Sequence, residues 1–304
     1  MLTRSQARDL LEPGLREVYD DAFQEEPLTY PRIFNMLTSS KQDETDTGFT
    51  GFKLHTVKTE NASLEYDDPI QMYDVTYVHD EYSLGFKVSE VLWEDDQYNV
   101  IKRKASQLGR SARRTQETSA VGVFNNSFVS TVLGGDAQEL TSTVHPRSDA
   151  GTAQSNASAT GITLTESNVE TGRIAARQQL DDRGLIIQVM PDLLVVPVDL
   201  EKIAEIIVGS SSRPGTADND LNFYRNKFQV VAWEYITTNN TMWFLVDKSQ
   251  HKLNWFWRIR NQFKNDSAFD SGALLFKSRM RYSVGFSDWR GVWGSLGDGA
   301  AYAG

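Results

Sequence analysis

Apolar and polar positions divide the chain into five stretches with different periods. In residues 1–48, Ala7, Leu10, Leu11, Leu15, Val18 and Phe23 recur at helical spacing among many carboxylates. Pro13-Gly14 interrupts that pattern, and a proline inside a helix removes a hydrogen bond and clashes with the preceding turn. The spacing predicts two short helices or one broken helix, too thin to bury much alone and in need of another surface. The TSSKQDETDTG that follows has almost no apolar residue and predicts a mobile segment.

Residues 49–88 change to a strand-like pattern. FTGFKLHTVKT and PIQMYDVTYVH are rich in β-branched and aromatic residues, with turn-prone ENASLEYDD between them. This predicts a β-hairpin with a long tip, and YSLGFKV predicts a third strand continuing its ladder. A two-stranded hairpin is marginal in water by itself, so this arm too calls for a partner surface.

SEVLWEDDQYNVIKRKASQLGRSARRTQETSAVGVF, residues 89–124, predicts one long helix. Ser89 is placed to cap it, and Glu90, Glu94, Asp95 and Asp96 lie near the positive end of the helix dipole. Its apolar seam, Tyr98, Ile101, Ala105, Leu108, Ala112, Thr115, Ser119 and Gly122, steps by three and four. At about 1.5 Å per residue such a helix spans roughly 50 Å. A seam so narrow and small suits a helix lying against a sheet or another chain rather than filling a core.

Residues 134–161, rich in Gly, Ser, Thr, Ala and Asn, read as a loop. TLTESNVETGRIAARQQLDDRG predicts a helix capped by Thr165 or Ser167. From Leu185 onward GLIIQVMPDLLVVPVDL reads as buried strands, and DLEKIAEIIVG as a helix capped by Asp199 and stopped at Gly209. KFQVVAWEYI and NNTMWFLVD predict a strand pair, followed by strands in LNWFWRI, ALLFKSRMRYSVGF and WRGVWG. The order of parts is an acidic arm, a long hairpin, a long helix, a Gly/Ser loop, a strand-rich α+β domain and returning strands.

Composition narrows the function. With 39% hydrophobic and 11% aromatic residues in 304, the chain can bury a sizeable core. No apolar run approaches the roughly 20 residues of a membrane helix, no membrane partner is expected, and no signal-peptide pattern opens the chain. The lack of cysteine excludes disulfides, thiolate metal sites and a cysteine nucleophile. A net charge of −10 argues against a dedicated nucleic-acid binder. Seven tryptophans suit either core or interface centres.

No catalytic constellation emerges. His55, His79, His145 and His251 lie in separate segments without metal-ligand spacing. His145, before Pro146, reads as a loop hydrogen-bonding residue, and His55 could face His79 across the hairpin as a solvated pair. The carboxylates Asp67-Asp68, Glu94-Asp95-Asp96, Asp181-Asp182 and Asp218/Asp220 are clustered along the chain. Acid–base work needs two carboxyls about 5 to 10 Å apart across a cleft, and neighbours in sequence diverge. The ADND loop before Asn222 offers at most a cation contact. Phosphate-loop, dinucleotide and nucleophile-elbow signatures are missing. No enzyme activity, catalytic residue, metal or cofactor is expected.

The order of parts resembles the major capsid proteins of tailed phages, with the Hong Kong 97-like capsid fold. ELTSTVHP, PDLLVVPVDLEKIAEIIVGS, RPGTADNDLN, TMWFLVD and RYSVGFSDWRGVWGS are similar to the Mu-like major head subunit group. The resemblance implies an N-terminal arm (1–48), an extended E-loop hairpin (49–88), a P-domain (89–185, spine helix about 89–124), an A-domain (186–275), and return strands to the P-domain with a tail (276–304). It implies a structural subunit that assembles as hexamers and pentamers into an icosahedral shell around double-stranded DNA, with neighbouring capsomers, portal and scaffold or decoration proteins as partners. The virion is the expected location, after assembly in the host cytoplasm. An encapsulin-like compartment shell is the alternative of the same fold.

Independent physics agrees: leader, hairpin and spine cannot all bury their faces in one compact unit, and a homo-oligomer supplies surfaces. Inter-subunit contacts are therefore expected at Asp67 and Asp68 on the hairpin and at Lys102, Arg103, Arg110, Arg113 and Arg114 on the spine, with Lys104 facing DNA weakly and nonspecifically. Some shells of this fold form a Lys–Asn cross-link. Lys53 and Lys58 lie on the hairpin without an identifiable partner, so no cross-link is expected.

Overall fold

The computed structural model describes residues 4–89, 91–92, 95, 99–213, 220–268 and 270–300, with side chains from residue 13 onward. Helices are α1 (Arg4–Glu25), α2 (Tyr30–Ile33), α3 (Val100–Asn125), α4 (Glu166–Arg177) and α5 (Val198–Gly209). Strands are β1 (Asn35–Thr38), β2 (Asp43–Phe49), β3 (Gln71–Val78), β4 (Asp80–Val88), β5 (Leu193–Val196), β6 (Gln229–Ala232), β7 (Trp243–Val246), β8 (Leu253–Ser267), β9 (Leu274–Phe286) and β10 (Val292–Ser295).

Three sheets form. A long one runs β1-β8-β9-β4, a short one β10-β7-β5-β6, and β2 pairs with β3 alone. β8 and β9 are antiparallel and carry the even-numbered β9 residues Phe276, Met280 and Tyr282 into the core, where Tyr82, Phe86 and Val88 of β4 join them. In the short sheet β5, β7 and β10 are buried on both faces. Leu194 and Val196 point toward α4 and α5, while Leu193 and Val195 point toward the end of α3 at Phe124, the period-two alternation of a strand.

Several expected boundaries shift. The leader is one continuous helix through Pro13. Proline in a helix interior costs about 3 kcal/mol, but burying Leu15 and Tyr19 against α3 and the long sheet offsets it at roughly 1.5–3 kcal/mol each. Half of the segment expected to be mobile is β2, which pairs with β3 from Asp43↔Val78 to Phe49↔Gln71. Residues 50–70 are not a ladder, so the hairpin's strands sit nearer its base than expected. YSLGFKV leaves the hairpin at His79 and pairs with β9 instead.

The spine helix starts at Val100, not at Ser89. Ser89 Oγ does accept the Leu92 N–H (3.3 Å), but Asn99 stands in the left-handed region (φ 54°) and separates that turn from α3. Asparagine tolerates this conformation. The helix is 26 residues long, about 39 Å at ~1.5 Å per residue. Glu90, Glu94, Asp96 and Tyr98 of the expected helix, and Asp218 of the ADND loop, lie outside the described residues.

The strand-rich tail divides between two sheets. β8, expected with residues 186–275, lies in the long sheet; β10, expected to return with β9, lies beside β7. The expected pair β6 and β7 is separated by β5. α4 is capped by Thr165 Oγ1 accepting the Asn168 N–H (3.3 Å), whereas Pro197 rather than Asp199 precedes α5. Trp233, Trp243, Trp255, Trp257, Trp289 and Trp293 are all buried within the chain, so these six serve its core; Trp93 lies outside the described residues.

His251, at the turn between β7 and β8, is 2% exposed and uses Nδ1 to accept the Leu253 N–H (3.1 Å). Burial pushes its pKa down to about 4, with the Asp247 charge opposing in part. As pH falls below 6.5 the unfolded chain takes up a proton that the folded one refuses until about 4. Stability contributed by the neutral ring, on the order of 3 kcal/mol, is full above 6.5 and lost across that window. Urea midpoints measured from pH 7 to 4 should fall less steeply in His251→Gln than in the unmodified protein; equal slopes would contradict this.

Candidate assembly surfaces

α3 is buried along two stripes. Ile101, Ala105, Leu108 and Ala112 follow the expected seam and meet α1 and the long sheet. Gly109 permits the closest approach, since a Cβ there would stand 2.5 Å from the Tyr19 carbonyl oxygen of α1. A second stripe, Gln116, Glu117, Ala120, Val121, Val123 and Phe124, turns toward α2 and the short sheet. The leader that needed another surface thus finds it on its own chain. Tyr19 stacks on Phe263 (4.7 Å), and its hydroxyl lies 2.6 Å from Ser278 Oγ and donates to Asn261 Oδ1 (2.9 Å).

At the centre of this joint lies Glu117, 3% exposed. Its Oε1 accepts the Thr29 N–H (2.6 Å) and the Tyr30 N–H (3.4 Å) at the start of α2, and its Oε2 accepts Trp233 Nε1–H (2.7 Å), just beyond β6. Burial pushes its pKa up, while the three donors pull it down. One carboxylate ties the leader, the spine and the short sheet together. Sequence reading missed it because Arg113 and Glu117 look like an ordinary i,i+4 surface pair.

The expected contact residues separate into two groups. Arg110 pairs with Glu25 (2.7 Å), and Arg114 with Glu26 (2.8 Å). Arg113 donates to the Glu26 carbonyl (2.9 Å) and covers the Phe23 ring (4.8 Å). These three are engaged with their own leader. Lys102 and Arg103 are exposed and Lys104 half-buried, without an ion pair among the described residues. On the hairpin, Asp67 accepts the Lys53 N–H (2.9 Å) and pairs with Arg183 (3.3 Å), which also bonds the Asp68 carbonyl. The Asp68 side chain remains exposed.

Residues 50–70 are held by side chains instead of a ladder. Thr50 exchanges bonds with Ile70 (2.9 Å each), Thr56 Oγ1 donates to Glu65 (3.0 Å), and Lys53 pairs with Glu65. This leaves Phe49 66%, Phe52 60%, Leu54 70%, Val57 96%, Leu64 61% and Tyr66 87% exposed. A contiguous set of large apolar side chains in water marks an interaction surface. A second apolar set, Ile203, Ile206, Leu221 and Phe223, is exposed beside α5.

The histidines do not converge. His55 is exposed in the hairpin tip, whereas His79 is buried at the hairpin base with Nδ1 2.9 Å from Ser283 Oγ, so the two do not face each other. His145 is fully buried in the 134–161 loop, stacked on Trp289 (4.3 Å), with Nδ1 2.7 Å from Asp136 and Nε2 3.0 Å from Asn156 Oδ1. It is the loop-bracing residue that its position suggested. A cavity of about 390 Å³ at the hairpin base includes Asp182 and Asp288. Both are bonded to buried Arg290 (2.8 and 3.1 Å), so they brace the fold. No metal-binding cluster is found among the described residues.

The weights of these contacts differ. Removing the Glu117 carboxylate strands buried donors at roughly 1–3 kcal/mol each, whereas an exposed ion pair contributes about 0–1 kcal/mol. Glu117→Ala should therefore lower unfolding stability by about 2–4 kcal/mol and Arg114→Ala by less than about 1 in denaturant titrations. Equal losses would contradict the buried joint.

The chain was compared with known proteins. A search of the curated proteins found no match. The sequence profile described as phage capsid protein matches residues 73–295. Among solved structures, the capsid of bacteriophage JBD30 is similar with a TM-score of 0.58 at 16% identity, covering 70% of this chain and 92% of that one. The capsid of a native GTA particle gives 0.58 at 14% identity, covering 88% and 90%. A virus-like particle from Pyrococcus furiosus gives 0.53 at 9%, covering 93% and 98%. With an overall fold similar to these shells and the profile spanning most of its length, the chain belongs to the phage capsid protein family and is a major capsid protein of the Hong Kong 97-like fold.

Proposed function

We propose that this subunit assembles as hexamers and pentamers into an icosahedral shell that encloses double-stranded DNA. The observation that carries the reading is the hairpin: six large apolar side chains between Phe49 and Tyr66 are at least 60% exposed in the single subunit. A neighbouring subunit is the surface that removes them from water. In this reading residues 43–78 are the extended loop, α3 with the long sheet is the P-domain, and the short sheet with α4 and α5 is the A-domain. Ile203, Ile206, Leu221 and Phe223 then face other A-domains around the capsomer axis.

Lys102, Arg103 and Asp68 are offered to neighbours, while Arg110, Arg113, Arg114 and Asp67 act inside the subunit. Lys104 contributes a weak, nonspecific and salt-sensitive contact to DNA. Scaffold, portal and decoration proteins are further partners, assembly takes place in the host cytoplasm, and the subunit performs no catalysis. The compartment-shell alternative shares the fold; the profile match over residues 73–295 favours the phage head.

Purified protein, alone and with a scaffold partner, should form closed shells under the electron microscope. Boiled particles should give one subunit band on a denaturing gel. A strictly monomeric chain at high concentration would overturn the reading, and a ladder of bands would contradict the absence of cross-links.

A further inference from the structure

The long sheet has an inner face against α1 and α3 and an outer face on which the hairpin base sits. Where the two meet, the sheet carries polar groups that the fold does not use. His79, the single residue between β3 and β4, is 3% exposed. Its Nδ1 lies 2.9 Å from Ser283 Oγ on β9, and its ring stands beside Phe256 of β8, with ring centres 6.4 Å apart. Its Nε2 is buried and has no hydrogen-bond partner among the described residues. A buried polar nitrogen without a partner costs free energy and calls for a specific cause.

Two arginines stand near it. Arg281 of β9 points outward, because its neighbour Tyr282 faces the core, and its Nε donates to the His79 carbonyl (3.2 Å). Arg258 sits at a bulge in β8: the ladder passes from Trp257↔Tyr282 to Ile259↔Arg281 and leaves Arg258 unopposed. A bulge bends its strand and re-aims a side chain. Arg258 Nε is also buried without an acceptor among the described residues. Burial pushes the His79 pKa down; the Arg281 and Arg258 charges push the same way, and Glu44 and Asp43 oppose them. Both guanidinium groups are therefore within electrostatic reach of the ring.

The nearby carboxylates do not balance these charges. Glu44 accepts from Ser39 Oγ (2.7 Å) with one oxygen and from Lys41 Nζ (3.1 Å) with the other. Glu81, opposite Arg281 in the ladder, is bound by both arms of the Arg279 guanidinium (2.8 Å each). Asp43 is exposed on β2. Neither Arg258 nor Arg281 has an ion pair among the described residues. A water molecule pairs an orphan nitrogen but leaves two guanidinium charges unbalanced, whereas an oxyanion satisfies both needs. We propose that His79, Arg258 and Arg281 form a binding site for a phosphate-type oxyanion at the hairpin base. With the Ser283 hydroxyl donating to Nδ1, His79 carries its hydrogen on Nε2 and offers it to the anion. The anion then joins the link between β3 and β4 to β8 and β9, and fastens the hairpin base to the sheet. All of these groups belong to one chain, so the site does not depend on the shell reading.

The test uses the full-length subunit and inorganic phosphate, with ionic strength held constant by sodium chloride. Phosphate should shift the His79 ring-proton resonances saturably, these being assigned by their loss in H79Q, and should raise the thermal midpoint as any ligand of the folded state does. R258Q should weaken phosphate binding at least tenfold while unfolding near the unmodified chain when phosphate is left out. K264Q/K277Q removes two exposed lysines of the same sheet face and should leave the affinity unchanged. The absence of a saturable shift, an unaltered affinity in R258Q, or an equal loss in K264Q/K277Q would overturn the site. A short DNA duplex that displaces phosphate, and binds more weakly to R258Q, identifies the ligand as a nucleic-acid phosphate; phosphate binding indifferent to the duplex identifies a free anion. If R258Q failed to fold, the His79 resonances of the unmodified protein would still decide the proposal.

Discussion

Burial of α3 on two sides of its own subunit is the constraint on which the other placements depend. A helix with so many charged residues cannot be held by one narrow seam of alanine and leucine. It is held because the leader covers one stripe at Gly109 and Tyr19, and because Glu117 fastens the other to α2 and Trp233. With α3 fixed, the long sheet has an inner face, the short sheet packs against the helix end at Phe124, and the hairpin is left outside.

That geometry separates self-sufficient surfaces from dependent ones. The leader spends its carboxylates Glu25 and Glu26 on Arg110 and Arg114 and its aromatic Tyr19 on Phe263. It is part of the subunit core. The hairpin has no such cover: its tip is braced by short polar contacts while its phenylalanines and leucines face solvent. A shell subunit needs this division, because it must fold alone and yet keep one surface whose burial waits for a neighbour.

Much of the fold was legible in the sequence, for identifiable reasons. Thr165 as a cap, LLVV as a strand buried on both faces and the long β9 alternation are local signals that the tertiary structure leaves unchanged. Two of the misplaced boundaries share a cause, the override of local preference by distant packing. Pro13 is absorbed because Leu15 and Tyr19 reach α3. YSLGFKV abandons the hairpin because β9 offers it a deeper face. The helix start moves to Val100 because Asn99 takes a left-handed conformation that Ser89 capping does not reveal. Among the contact residues, the basic strip was visible as a charge pattern, but its division between Arg110, Arg113 and Arg114 on one side and Lys102 and Arg103 on the other depends on where the leader lies.

Hydrogen–deuterium exchange on the unassembled subunit and on finished shells tests the central division most directly. Amides of residues 13–25 and of α3 should be protected equally in both states, whereas those of residues 50–70 should exchange rapidly in the free subunit and slow markedly in the shell. Rapid exchange along the leader in the free subunit, or a hairpin already protected there, would contradict the account.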